Sequence, residues 1–183
     1  MLRPPSKGEL ALFCAVCPQP GVNLPPDWKE RITSWMFWRY LTGNGNFKKT
    51  CVQHQAVKEK NKVKPGYDIT GVVSVACARH GCFAPAGTVD LQKGERQINM
   101  DLALSEACDA TKAGQTLGLR FTYDINCQYC VNFHQKVGPR KPLSIPENMA
   151  LLFVIGLFHV HGHKEECLAL GKLGNLSGAH STL

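Results

Sequence analysis

Between Phe121 and Gln135 the sequence reads FTYDINCQYCVNFHQ, an apolar run that ends in the carboxylate of Asp124 and then delivers Cys127, Cys130 and His134. A carboxylate at a strand end is where a two-metal nuclease or transferase holds Mg²⁺ or Mn²⁺ against a phosphodiester. That chemistry needs a second carboxylate on a neighbouring strand. At the end of the first aromatic, apolar run, WMFWRYLTGNGNF, the corresponding residue is Asn44, which carries no charge. The plainer reading of Asp124 is a cap on the helix that follows.

Sulfur and imidazole are the other chemistry-bearing groups. Two Cys-x-x-Cys pairs occur, Cys14 with Cys17 and Cys127 with Cys130. Each has the bite of half a tetrahedral zinc site. Cys127 and Cys130 stand i and i+3 on an expected helix and read as half-buried core thiols. Cys14 and Cys17 lie in a Pro-rich loop with little core to join, which makes them zinc candidates. FHVHGHKEEC adds His159, His161, His163 and Cys167, ligand types that zinc accepts, or equally exposed polar residues after a buried strand. In CARHGC, strand alternation would put Cys77 and His80 on opposite faces, so that group reads as structural.

The 183 residues are enough for one domain, with 44% hydrophobic residues to build a core. A formal charge of +7 and a pI near 9.0 suit a phosphate-rich partner. Lys48, Lys49, Lys62 and Lys64, in a basic segment of low hydrophobicity, and Arg79 could contact DNA phosphates, although such a segment is ordinarily a solvated loop. Nine cysteines without a long apolar leader suggest free thiols or metal ligands in a reducing compartment rather than a disulfide framework. No run is long enough to span a membrane. The absence of GxxxxGK, GxGxxG and GxSxG argues against P-loop hydrolysis, dinucleotide oxidoreduction and hydrolase chemistry, and no small-molecule cofactor is expected.

The elements that must position these residues follow from pattern and punctuation. A Cys/Pro-rich strap over 1–33 precedes a strand over 35–41 that closes on a turn at Asn44 and Gly45. ITGVVSVACA and CFAPAGTVDLQ form a hairpin, residues 95–112 a helix, 117–125 a strand, 127–137 a short helix, and 149–158 a buried strand. The order implies an α/β protein with a mixed sheet, matching the start of a ribonuclease-H-like fold. The domain core is expected over 34–168. The tail over 169–183 is Gly and Ser-rich and is expected to be loosely ordered. The pattern specifies no oligomeric state.

CAVCPQPGVNLP, GNFKK, TGVVSVACARHGCF, VDLQKGERQINMD, YDINCQYC and FHVHGHKEEC occur in the order, and close to the form, of motifs in the Kyakuja-Dileera-Zisupton (KDZ) transposases. The chain resembles that family over about residues 8 to 168. The resemblance implies a cut-and-paste DNA transposase with a ribonuclease-H-like core bearing Asp, Asp and Glu, found widely in fungi, nuclear, dependent on Mg²⁺ or Mn²⁺, and often joined to zinc-binding cysteine clusters.

Carried across on matching motifs, the second catalytic aspartate falls on Asp124, and the first falls on Asn44. A carbonyl ligand in place of a carboxylate should bind Mg²⁺ much more weakly. A family pattern resembling FHxxxHxxxC selects His159, His163 and Cys167. Where family members continue into a segment resembling DGExxER, which supplies the glutamate, this chain reads LALGKLGNLSGAHSTL. The resemblance therefore implies a truncated, degenerate copy without cleavage activity. The alternative is a zinc and DNA-binding module derived from a transposase.

Overall fold

The structure is a computed structural model that describes residues 14–29, 39–45, 65–116, 118–136, 143, 145 and 150–156. Lys48, Lys49, Lys62, Lys64, His159, His163 and Cys167 lie outside the described residues, as does the tail over 169–183.

Among the described residues the chain forms one mixed sheet of five strands in the order β3-β2-β1-β4-β5. These are β1 (Arg39–Gly45), β2 (Gly71–Cys77), β3 (Phe83–Leu91), β4 (Gly118–Thr122) and β5 (Ala150–Val154). The first three run as an antiparallel meander, while β4 and β5 run parallel to β1. Helix α1 (Gln97–Ala110) makes the crossover between β3 and β4, and the one-turn helices α2 (Asn126–Tyr129) and α3 (Phe133–Lys136) follow β4. A fold of mixed α/β class is as expected.

Two local expectations shift. β1 continues through Gly45, so Asn44 is a strand residue paired with Ser74 rather than the start of a turn. The helix expected over 127–137 is two short turns instead. Residues 130–132 between them form a turn, closed by Phe133 N–H to Cys130 C=O at 3.2 Å, and Tyr129 and Phe133 on either side of it are both fully buried.

Burial explains the hold of α1 on the sheet. Met100, Ala103, Leu104 and Ala107 are buried on the sheet-facing side of α1, which packs over β3 and β2. Small residues let the layers approach closely: a Cβ on Gly87 would stand 3.1 Å from that of Ala107. Under the same helix, a Cβ on Gly43 would come 2.7 Å from Met100 Cε. Each large buried side chain contributes roughly 1.5–3 kcal/mol.

Aromatic stacking then fixes the segment after β4. Tyr123 meets Tyr129 edge-on at 5.4 Å, and Phe133 meets Phe153 at 4.6 Å. A buried polar triad ties these turns to α1. Asp101 accepts hydrogen bonds from the Tyr129 hydroxyl at 2.6 Å and from Lys136 Nζ at 3.2 Å, and that ammonium lies 4.6 Å from the Tyr129 ring centroid. Asn126 donates to the carbonyls of Phe121 and Val154, pinning the ends of β4 and β5 together. Asp124 is thereby held at a defined place beyond the sheet.

Candidate metal centre

The loop over 14–29 is built around one carboxamide. Asn23 donates to the carbonyls of Ala15 and Cys17 and accepts from the Gln19 amide at 2.7 Å. Gln19 donates its own side-chain amide to the Cys14 carbonyl. With Cys17 N–H bonded to Cys14 C=O, the Cys-x-x-Cys becomes a tight knuckle whose two thiols face one way. No helix is needed.

The opposing half comes from the β2–β3 turn. β2 ends at Cys77, and the chain reverses through Ala78 to Gly81, closed by Cys77 N–H to Cys82 C=O and Gly81 N–H to Cys77 C=O, both 2.8 Å. Gly81 takes φ +70°, a conformation that costs a residue with a Cβ about 1–2 kcal/mol. His80 therefore folds back over Cys77. Strand alternation had set the two on opposite faces, but alternation stops where the strand stops.

These two pieces meet. His80 Nδ1 lies 3.1 Å from Cys14 Sγ, 3.4 Å from Cys77 Sγ and 3.8 Å from Cys17 Sγ, and the Cys17 and Cys77 sulfurs are 3.2 Å apart. All four donor atoms fall within 4.8 Å of one another. A tetrahedral zinc ion with Zn–S of about 2.3 Å and Zn–N of about 2.0 Å spaces its ligand atoms about 3.5–3.8 Å apart, so small side-chain adjustments would accommodate it. The residues fit the metal, and three thiolates with one imidazole form a closed structural donor set.

Electrostatics agree with that use. The hydrogen bond between the buried pair lowers Cys77 and raises Cys17; burial raises Cys17 further, and the amides of Arg79 and His80 help hold the Cys77 thiolate. One sulfur is thus ready to ligate, and a cation would relieve the other. Cys82, exposed at the rim, is raised by desolvation and by the nearby Cys14 and Cys77. Cys127 is buried behind Asp124, Cys130 is partly buried, and neither joins this cluster. Arg79 stands in the same turn as His80.

A second cluster gathers where β1 and β4 end. Thr42 is in register with Thr122, so Asn44 and Asp124 each stand two residues further along adjacent parallel strand paths. Asp124 does not occupy the N-cap of α2, which belongs to Ile125 and has no side-chain capping bond.

Sequence reasoning missed Glu95. It sits just before α1 and accepts the Tyr123 hydroxyl at 2.7 Å; burial, and to a lesser extent Asp124, raise its pKa to about 7 against that hydrogen bond. Only packing of α1 across the sheet brings this carboxylate toward Asp124. A two-metal centre needs a carboxylate on β1, and that position holds a carboxamide, so the described residues do not fit such a centre.

Together these features define an α/β protein in which a cysteine-rich loop and a hairpin turn share a donor set of the kind zinc accepts. The chain belongs to the Kyakuja-Dileera-Zisupton transposase family, whose model matches residues 22–179. No curated protein and no solved structure matches it significantly. Cys14 and Cys17 precede the matched range, whereas Cys77 and His80 fall inside it. Among the described residues no helix is long and apolar enough to cross a membrane.

Proposed function

We propose that this is a transposase-derived protein with a ribonuclease-H-like core that engages DNA in the nucleus without cleaving it. The sheet order, with an antiparallel meander followed by parallel β4 and β5, supports that fold reading. The observation that supports the lack of cleavage is the carboxamide at position 44, which stands two residues past Thr42 as Asp124 stands two past its register partner Thr122, where the family reading asks for two carboxylates. Without the charge of the first ligand, Mg²⁺ or Mn²⁺ binding at Asp124 is too weak to activate a phosphodiester. The test is Mn²⁺-dependent nicking of supercoiled DNA by the purified chain. No cleavage above background is expected, and robust cleavage abolished by Asp124→Ala would overturn the reading.

The Cys14, Cys17, Cys77 and His80 cluster favours a second reading, a zinc and DNA-binding module derived from a transposase. DNA contact falls to Lys48, Lys49, Lys62, Lys64 and Arg79, with His159, His163 and Cys167 as a second candidate zinc set. Affinity for duplex DNA should then fall steeply with salt, as counterion release requires. Salt-independent binding counts against it.

A further inference from the structure

The turn that supplies His80 also supplies a fifth donor. Cys82 lies two residues beyond His80, across Gly81, with its carbonyl fixed to the Cys77 amide at 2.8 Å. Its thiol is exposed and points to the His80 carbonyl at 3.8 Å, on the same turn as the imidazole and just outside the four donors gathered within 4.8 Å of one another. Cys17 and Cys77 are buried and held from both sides, and the Cys14 carbonyl is tethered by Gln19. His80, by contrast, is exposed and stands on a turn whose glycine already occupies the left-handed region. Three sulfurs therefore have little freedom, while two donors on one short turn share the open side.

Resting on the metal-binding reading above, we propose that this is a five-donor zinc centre in which Cys14, Cys17 and Cys77 are fixed ligands and His80 and Cys82 are interchangeable in the fourth place. Either choice completes a structural set, three thiolates with imidazole or four thiolates. The exchange swings the His80 imidazole out and the Cys82 thiol in, with the Cys82 carbonyl kept on the Cys77 amide. The imidazole form has the lower net charge. The four-thiolate form places one more negative charge at the exposed rim. Its consequence is a clip between the N-terminal loop and the β2–β3 hairpin that survives loss of its histidine.

Cobalt(II) is the probe, added to the full chain in reducing buffer, because tetrahedral Co²⁺ reports its thiolates through charge-transfer absorption. The unsubstituted chain should bind one Co²⁺ with a charge-transfer intensity between those of three and four thiolates, and Cys82→Ser should lower it to the three-thiolate value. His80→Ala should retain Co²⁺ at the four-thiolate intensity, about a third above that of Cys82→Ser. The double variant His80→Ala, Cys82→Ser should bind at least about tenfold more weakly, having only three donors. If His80→Ala keeps a three-thiolate spectrum, or weakens as much as the double variant, Cys82 is no ligand and the proposal is overturned. Absence of tetrahedral Co²⁺ in the unsubstituted chain overturns the metal-binding reading as well, a different and recognisable result. Circular dichroism of each variant shows that it is folded.

Discussion

Zinc removal should loosen the whole fold, and the structure sets the scale. Cys17 and Cys77, whose sulfurs lie 3.2 Å apart, are separated by 60 residues in the chain. A cross-link closing a loop of that length removes about 14 cal/mol/K of unfolded-chain entropy, about 4 kcal/mol at 25 °C. Zinc binding to the unfolded cysteines reduces this, so about 2–4 kcal/mol is expected. For a chain of this size each kcal/mol moves the melting temperature by roughly 2–4 °C, giving a fall of about 5–15 °C. The assay is a thermal melt by circular dichroism in reducing buffer, with stoichiometric zinc or with excess chelator. The double variant Cys14→Ser, Cys17→Ser should melt low in both conditions, because the N-terminal half of the clip is gone. Superimposable melts of the unsubstituted chain with zinc and with chelator would refute the reasoning, since no cross-link would then exist.

The pH dependence of stability should report Glu95. Its folded pKa is raised from the ordinary 4.5 to about 7, so between those values the folded state holds a proton that the unfolded state has lost, and stability falls as pH rises. The carboxyl is only partly buried, so the loss is trimmed to about 1–2 kcal/mol, and Glu95→Gln should abolish it in urea melts at pH 5 and pH 8. Asp101→Ala strands the Tyr129 hydroxyl and the Lys136 ammonium beside a buried site and should cost about 3 kcal/mol by urea denaturation, with Asp101→Asn costing less. Gly43→Ala pushes a methyl into Met100 and Phe121 and should cost about 1 kcal/mol, since the Met100 tip can give way; an unchanged urea midpoint would show the packing to be looser than the distances indicate.

Much of the architecture was legible because it is written in local pattern. The β2–β3 hairpin shows in two β-rich runs around the three residues Arg79, His80 and Gly81, and α1 in apolar residues recurring at helical spacing; both stand within a few residues of where they were expected. The split of α2 and α3 was not legible. Tyr129 and Phe133 stand i and i+4, the same apolar spacing that one continuous helix would show, so the pattern does not record the turn at 130–132.

The sequence alone determined the family motifs, their order, and the carboxamide at position 44, since identity and spacing are properties of the chain. It also marked Cys14 and Cys17 as a pair looking for partners. Tertiary structure alone decided who the partners are. Cys77 and His80 stand about sixty residues away, and their convergence depends on a left-handed glycine and on a loop folded around Asn23. Glu95 likewise meets Asp124 only because α1 crosses the sheet. A pattern period describes neighbours along one element, whereas a metal centre or a carboxylate cluster is made where different elements touch.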